Sequence, residues 1–294
     1  MRYKDRFIEY LRFEKRYSQH TILSYENDLR QYNDYAVITG REHELPDSRT
    51  IRMWIVSQME EGITARTIHR RMSSLRSYCK YLMQQGHLKS NPVDRVIKPK
   101  LSKRLPVFIE EEKINAFLDS YEFGEDFAGL RDRLILELLY QTGMRRAELI
   151  GLTIDSWQHY KQQILVHGKR DKERLIPVSE RLGELLERYL FARNLEFPDV
   201  ANTFLFLTER GEPVYEQLIY RIVKNFLGHL TTREKKSPHV LRHTFATHLL
   251  NKGADLNAIK ELLGHANLSA TQVYTHNSFE NLKNIYKKAH PRAD

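Results

Sequence analysis

The stretch TARTIHRRMSSLRSYCKYLMQQG, Thr64 to Gly86, has an apolar residue at every third or fourth position. The apolar stripe, which follows the helical period, consists of Ile68, Met72, Leu75, Cys79 and Leu82. Thr64 is suited to cap the start of a helix, and Gly86 is suited to end it. The basic residues off the stripe are Arg66, Arg70, Arg71, Arg76 and Lys80. The pattern predicts a long amphipathic helix with a basic outer face.

The segments on either side predict the domain organisation. SQHTILSYENDLRQYNDYA, Ser18 to Ala36, repeats the amphipathic pattern after a capping Ser18. NPVDRVIKPKLSKRLP, Asn91 to Pro106, contains three prolines and no apolar period, which indicates a linker. We therefore expect a helical domain over residues 1–95, a basic linker over 96–106 and a second domain over 107–294.

The positive charge is concentrated in the first third of the chain. The net charge is +9, and residues 1–106 hold 21 Lys and Arg against 12 Asp and Glu, while the remainder is balanced. Between Gly62 and Arg104 there are eleven basic residues and one acidic residue, Asp94. This density suits a polyanion such as duplex DNA, although a solvated surface is the alternative. The predicted DNA contacts are Arg66, Arg70, Arg71, Arg76, Lys100, Lys103 and Arg104.

Several classes of protein are disfavoured by composition. No apolar run approaches the roughly 18 residues of a membrane span, and the first residues are too charged for a signal peptide. The single cysteine, Cys79, excludes a disulfide framework and a cysteine-based zinc cluster, and it suits a buried core position. We expect a cytoplasmic protein without a membrane partner.

The second domain is predicted to be mainly helical with one β-hairpin. In ILVHGKRDKERLIPV, Ile164 to Val178, two β-type runs, Ile164–His167 and Arg174–Val178, flank a polar turn. The residues predicted at the basic tip are Lys169, Arg170, Lys172 and Arg174. Basic tips are often only solubilising, so the hairpin alone predicts no function.

Three further segments place polar residues at helix ends. In TGMRRAELIGL, Gly143 ends one helix, and Arg145 precedes Glu148 by three residues, so that a carboxylate on its own helix can orient the arginine. In KSPHVLRHTFATHLLNKG, Ser237 and Pro238 favour a helix start, and His239 and Arg242 share a face. In LLGHANLSATQVYTH, the residues of interest are Gly264, His265, a capping Ser269 and Tyr274.

Four segments, TGMRRAELIGL, HGKRDKERLIPV, HVLRHTFATHLL and LLGHANLSATQVYTH, resemble in this order the catalytic motifs of the tyrosine recombinases, a phage-integrase-like family. The ending YKKAHPRAD resembles the Xer type, on its XerC-like side. One residue departs from the family pattern, because Arg170 stands where glycine is usual. The resemblance implies a mainly α fold of two domains: an N-terminal SAM-like DNA-binding bundle, and a mostly helical catalytic domain with a small β-sheet and a terminal subunit-exchange helix.

The chemistry of DNA strand transfer suits these motifs. Guanidinium groups match the nonbridging oxygens of a phosphoryl transition state, a role that Arg145 and Arg242 fit. The resemblance makes Tyr274 the nucleophile and Lys169 the acid for the leaving 5′ oxygen. It also implies that His239 assists at the tyrosine and that His265 hydrogen-bonds the phosphate. No metal or other cofactor is implied.

The resemblance implies a site-specific recombinase that forms a 3′-phosphotyrosine at inverted-repeat sites in double-stranded DNA and resolves chromosome dimers at cell division. Its implied partners are other recombinase subunits in a tetramer on paired sites. A sister recombinase and a cell-division DNA translocase are candidate partners, and the implied location is the nucleoid. Two alternatives stay open: an integrase or transposase of a mobile element, and a non-catalytic regulator that uses Ser269–His276 as the recognition helix of a helix-turn-helix. A metal pair of His239 and His243 is disfavoured because Arg242 adjoins them.

Overall fold

The computed structural model describes residues 3–41, 44–101, 108–168, 172–198, 202–231, 236–264 and 276–293, without the side chains of residues 276–281. The chain divides into two compact units, Met1–Arg104 and Leu105–Asp294. Helices dominate both units, and the second unit also holds a small antiparallel sheet. The predicted fold class, mainly α with a small sheet in the second domain, is confirmed.

Several helices of the first unit begin after a capping side chain. The unit contains α1 (Lys4–Glu9), which continues as a π-helical turn (Tyr10–Glu14), α2 (Gln19–Ile38), α3 (Ser48–Glu60), α4 (Ala65–Gln84) and a 3-10 turn (Pro92–Arg95). The hydroxyl of Ser18 accepts a hydrogen bond from the backbone N–H of Thr21, and Thr64 accepts one from Thr67. Both predicted caps are confirmed. Gly86, just beyond α4, has a φ of 76°, which glycine adopts without strain.

The apolar stripe of α4 is the centre of the first core. All five of its predicted members are fully buried. They pack with Phe7 of α1, Leu29 of α2 and Trp54 of α3. Burial raises the pKa of the Cys79 thiol to about 12, so this cysteine is an inert core residue, as its sequence context predicts.

The second unit is built around one almost wholly buried helix. Its helices are α5 (Glu111–Ser120), α6 (Phe127–Thr142), α7 (Arg146–Ile150), α8 (Glu180–Glu196), α9 (Glu216–Leu230), α10 (Pro238–Asn251), α11 (Leu256–Leu263) and α12 (His276–Ala289). Helix α6 is the buried one, and it packs against α8 and α10. Its final turn leads through Gly143, at a φ of 60°, directly into α7. This connection places the start of α7 at the edge of the core.

The sheet has three antiparallel strands in the order β1 (Trp157–Gln158), β2 (Gln163–His167) and β3 (Glu173–Pro177). Val166 faces Arg174 and His167 faces Glu173 in the β2–β3 register. The predicted hairpin is therefore confirmed. Strand β1 was not predicted, because two residues are too short to show an alternating pattern.

Arg174 corrects one detail of the sequence analysis. The prediction placed it at a basic, solvent-facing tip, but its side chain is only 4% exposed. It lies on the same face of β3 as the buried Ile176. A charged residue in this inward position is stable because Glu148 of α7 neutralises it, with an N–O distance of 2.8 Å.

The C-terminal helix α12 packs against its own unit in the single chain. Leu282 and Tyr286 are buried with Phe245 and Leu249 of α10 and with Leu262. This packing accounts for the buried face of α12 within one chain. Its role in subunit exchange stays a prediction. No helix within the described ranges has the length and apolar character of a membrane span.

Candidate active site

Arg145 occupies the N-cap position of α7 and is held by a carboxylate one turn away. The backbone N–H of Arg145 donates to Glu148 Oε2 at 2.7 Å, and its guanidinium Nη1 donates to Glu148 Oε1 at 2.7 Å. The expectation that a carboxylate on its own helix orients this arginine is confirmed. The Nη2 of Arg145 donates a hydrogen bond to the carbonyl oxygen of Gly264 at 3.1 Å.

Arg242 lies on α10, which begins at Pro238 after the N-cap Ser237. Its Nη1 donates to the carbonyl of Gly143 at 2.6 Å, and its Nη2 donates to the carbonyl of Leu263 at 2.7 Å. Burial, followed by the charge of Arg145, lowers the pKa of Arg242 to about 10, which leaves it charged at neutral pH. Both bonds hold the guanidinium against the end of α6 and the end of α11.

Three arginines converge on the last carbonyls of α11. Arg174 Nε donates to Leu262 at 2.9 Å, Arg242 binds Leu263, and Arg145 binds Gly264. We call Arg145, Arg174 and Arg242 the three-arginine cluster. Carbonyls at a helix C-terminus lack partners within their own helix and carry partial negative charge, so cations are favoured there.

The cluster carries more positive charge than its carboxylate can neutralise. Among the described residues, Glu148 is the carboxylate that ion-pairs with it, through Arg145 and Arg174. Burial alone would raise the pKa of Glu148, but hydrogen bonds and charge from Arg174, then hydrogen bonds from Arg145, hold that pKa below its ordinary value. Three guanidinium groups and one carboxylate leave a net positive charge, which favours a nearby anion such as a phosphodiester.

The structure describes three of the six predicted catalytic residues. Arg145 and Arg242 come together at the end of α11. His239 lies in the first turn of α10, three residues before Arg242, and is exposed. Lys169, His265 and Tyr274 lie outside the described residues.

The part that Arg174 takes in this cluster was not predicted from the sequence. The available signal was the alternation of β3, in which Arg174 and Ile176 are two residues apart and so share one face. Because Arg174 is a charged residue close to a polar turn, its sequence context favours an exposed tip.

Several predicted DNA contacts of the first unit already have partners within it. Arg70 pairs with the buried Asp28 of α2, and Arg71 Nη1 donates to Gln58 Oε1 at 2.8 Å. Arg76 pairs with Asp94 at 2.8 Å. Arg66 and Lys100 are exposed. Lys103 and Arg104 lie outside the described residues.

Comparison with known proteins identifies the family. The profile described as Phage integrase family matches residues 108–281, and the profile described as Phage integrase, N-terminal SAM-like domain, matches residues 5–86. Tyrosine recombinase XerC of Bacillus subtilis (strain 168) is 38% identical over 98% of this chain and 95% of its own length. Tyrosine recombinase XerD of Listeria monocytogenes serovar 1/2a is also 38% identical, over 98% of both chains.

A solved structure agrees with these relatives. The XerH site-specific recombinase, in a post-cleavage complex bound to palindromic difH substrate, is 25% identical and aligns with a TM-score of 0.72 over 91% of this chain and 79% of its own. The four motifs, the two matched domains and the relatives at nearly full length agree. The chain therefore belongs to the phage integrase family, as a tyrosine recombinase of the Xer type.

Proposed function

We propose that the chain cuts and rejoins duplex DNA at specific sites through a covalent 3′-phosphotyrosine. The observation that carries this proposal is the position of Arg145 and Arg242, whose guanidinium groups bind consecutive carbonyls at the end of α11. Multi-donor cations fixed before the reaction stabilise the negative charge of a phosphoryl transition state without reorganising during it.

In the proposed reaction, the phenol oxygen of Tyr274 attacks the scissile phosphorus. The new P–O bond to the tyrosine forms as the bond from phosphorus to the 5′ oxygen breaks, and the electron pair leaves with that oxygen. Arg145 and Arg242 bind the nonbridging oxygens. The phosphodiester energy is kept in the covalent intermediate, so a second 5′ hydroxyl can reverse the step without ATP.

Two proton transfers accompany the exchange. A phenol has a pKa of about 10, so its proton must pass to a base as it attacks, a role that we assign to His239. Lys169 donates a proton to the leaving 5′ oxygen, and His265 donates a hydrogen bond to the phosphate. The exposure of His239 one helical turn before Arg242 supports its part; the roles of Lys169, His265 and Tyr274 rest on the family motifs.

The DNA substrate is proposed from the solved relative. XerH is described as bound to a palindromic difH substrate. By analogy, this chain binds inverted-repeat duplex sites. Its assembly as a recombinase tetramer on paired sites is proposed from the family resemblance. Residues 1–95 form the core-binding domain, residues 96–106 the basic linker and residues 107–294 the catalytic domain.

Resolution of chromosome dimers at cell division is the proposed biological role. It is supported by relatives named XerC and XerD that match this chain over nearly their whole length. A sister recombinase and a cell-division DNA translocase are the proposed partners. The integrase of the Tn1549 transposon shares the fold, with a TM-score of 0.72 at 21% identity, so a mobile-element role is the second candidate.

Trapping the covalent intermediate tests the reaction. The chain is incubated with suicide-nicked duplexes and run on a denaturing gel, where the wild type should give a stable protein–DNA adduct. Tyr274→Phe removes one oxygen and should bind DNA normally without forming the adduct. Tyr286→Phe is the control, because Tyr286 is buried and its hydroxyl donates to Gln141 at 3.2 Å. DNA binding without any wild-type adduct would support the non-catalytic regulator instead.

Mapping the adducts in cells tests the biological role. Covalently bound DNA is recovered and sequenced from cells that express the wild type, with Tyr274→Phe as background. A single chromosomal locus with inverted repeats would support dimer resolution. Recovery of the ends of a mobile element would overturn that role and support the second candidate.

A further inference from the structure

Arg174 joins three elements of the second unit through one buried guanidinium group. From strand β3, it donates Nη1 to Glu148 Oε1 at 3.1 Å and Nη2 to Glu148 Oε2 at 2.8 Å. Its Nε donates to the carbonyl of Leu262 at 2.9 Å. The planar fork of arginine makes this geometry possible, whereas a lysine ammonium cannot present it. One side chain therefore links the sheet, α7 and the end of α11.

Glu148 is saturated by donors, and Arg174 supplies half of them. Glu148 Oε1 accepts from the guanidinium groups of Arg145 and Arg174, and Oε2 accepts from the backbone N–H of Arg145 and from Arg174. These four bonds leave the carboxylate no freedom to rotate. The orientation of the Arg145 guanidinium therefore depends on a contact that Arg174 completes.

Close packing at Gly264 adds an independent observation. A Cβ built on this glycine would lie 3.1 Å from Arg174 Nη1, and the glycine has a φ of 64°. The Arg174 guanidinium thus lies against the last residue before His265. In the sequence, Lys169 precedes Arg174 by five residues.

We propose that Arg174 is a positioning residue of the strand-transfer site, which holds Glu148 in place for Arg145 and ties strand β3 to the end of α11. It acts through other residues and does not touch the DNA. The inference rests on the proposed function, because the group that it positions is the phosphate-binding Arg145.

Substitution of Arg174 tests the proposal against a matched control. Arg174→Met removes the charge and the three hydrogen bonds but keeps much of the side-chain volume. Arg193→Met makes the same chemical change at another buried arginine of the unit, which binds the carbonyls of Asn202 and Phe204. The assay is single-turnover adduct formation on a suicide-nicked duplex that carries the genomic site recovered by the mapping experiment, with DNA affinity measured separately.

We expect Arg174→Met to slow adduct formation by ~100-fold, the scale of a small misplacement of a catalytic group, with DNA affinity close to that of the wild type. Arg193→Met should stay close to the wild-type cleavage rate. Arg174→Lys keeps a positive charge but not the fork, so we expect it to fold and to show an intermediate rate. If Arg174→Met does not fold, Arg174→Lys decides the question.

A double-mutant cycle with Glu148→Gln separates positioning from a general loss of stability. If Arg174 acts through Glu148, the two substitutions together should slow cleavage by less than the product of their separate effects. Two outcomes would overturn this inference and leave the proposed function intact. One is strictly multiplicative effects of the two substitutions, and the other is a normal cleavage rate in both Arg174 variants when the wild type forms the adduct. A wild type that forms no adduct would overturn the proposed function and this inference with it.

Discussion

At the scale of single residues, Glu148 is a buried carboxylate that must stay ionised to serve two arginines. Its oxygens accept from Arg145 and Arg174, and its pKa is held below the ordinary value. A carboxyl whose pKa is lower in the folded than in the unfolded state stabilises the fold above the unfolded pKa, about 4.3. That contribution is lost as the pH falls through the folded pKa.

The free energy of unfolding of the wild type should therefore fall between neutral and acid pH as Glu148 becomes protonated. In Glu148→Gln, which has no carboxyl to protonate at this position, the free energy of unfolding should fall by less. Denaturant unfolding at a series of pH values from about 7 to 3 measures the difference. Glu184→Gln, at an exposed position on α8, is the control and should follow the wild type. Parallel curves for Glu148→Gln and the wild type would contradict the proposed linkage.

Lys169 has a role that can be tested by changing the leaving group. If it protonates the 5′ oxygen, Lys169→Ala should cleave ordinary DNA slowly, by a factor of about 10²–10⁴, the usual contribution of a general acid. Replacement of that oxygen by sulfur, which leaves readily without a proton, should largely restore the rate. Arg242→Ala is the control. Sulfur at the leaving position does not replace the contacts of Arg242 to the nonbridging oxygens, so this variant should stay slow on both substrates. Equal defects of Lys169→Ala on both substrates would exclude Lys169 as the acid.

At the scale of elements, α4 combines a buried stripe with a basic surface whose arginines differ in their surroundings. Asp28 is 2% exposed, and it accepts from Arg70 and from Ser74 Oγ. Arg70 is half-exposed, but its ion pair with the buried Asp28 makes it part of the hydrogen bonding within the bundle. Arg66 and Lys80 are exposed and fourteen residues apart, close to four turns at 3.6 residues per turn, so they share one face of α4.

These surroundings predict different effects for two sets of substitutions. Arg66→Ala with Lys80→Ala should reduce the log–log salt dependence of DNA binding by roughly 0.9 for each phosphate that the protein no longer neutralises, without a change in Tm. Arg70→Ala should instead destabilise the unit by about 1–3 kcal/mol, because it leaves Asp28 without its charged partner. Salt titrations and thermal unfolding measure the two effects. An unchanged slope in the double variant would mean that this face of α4 does not bind DNA.

At the scale of the whole molecule, the C-terminal tail completes the core of its own unit. Leu282 and Tyr286 are buried, and the Tyr286 hydroxyl donates to Gln141 at 3.2 Å. Arg292 lies beyond α12 and donates to Glu137 at 2.9 Å and to Asp119 at 3.0 Å. If the tail also exchanges between subunits, the groove that it occupies must accept the same helix from another chain.

Truncation after Ser278 should lower the stability of the isolated chain by about 3–6 kcal/mol, the burial energy of two large side chains. A peptide of residues 276–294 added in trans should restore Tm and cooperative binding to paired sites, whereas the same peptide with Leu282→Asp should not. Thermal unfolding and gel-shift titration measure these effects. An unchanged Tm after truncation would show that α12 is not part of the core, and failure of the peptide would argue against exchange.

The sequence by itself determined the features that depend on a few neighbouring residues. Periodicity predicted the buried stripe of α4, alternation predicted the hairpin, and the spacing of Arg145 and Glu148 predicted their contact. Helical period, capping and strand alternation each depend on residues that are close together in the sequence. They can therefore be recognised without knowledge of the tertiary structure. The motif order also identified the family.

The tertiary structure decided which charged residues face inward. Arg174 pairs with Glu148 across 26 positions, and Arg70 pairs with Asp28 across 42. The carbonyls that hold Arg242 belong to Gly143 and Leu263, on two other elements. A buried charge is stable only beside a partner, and that partner is brought in by the packing of distant segments, which no local pattern records.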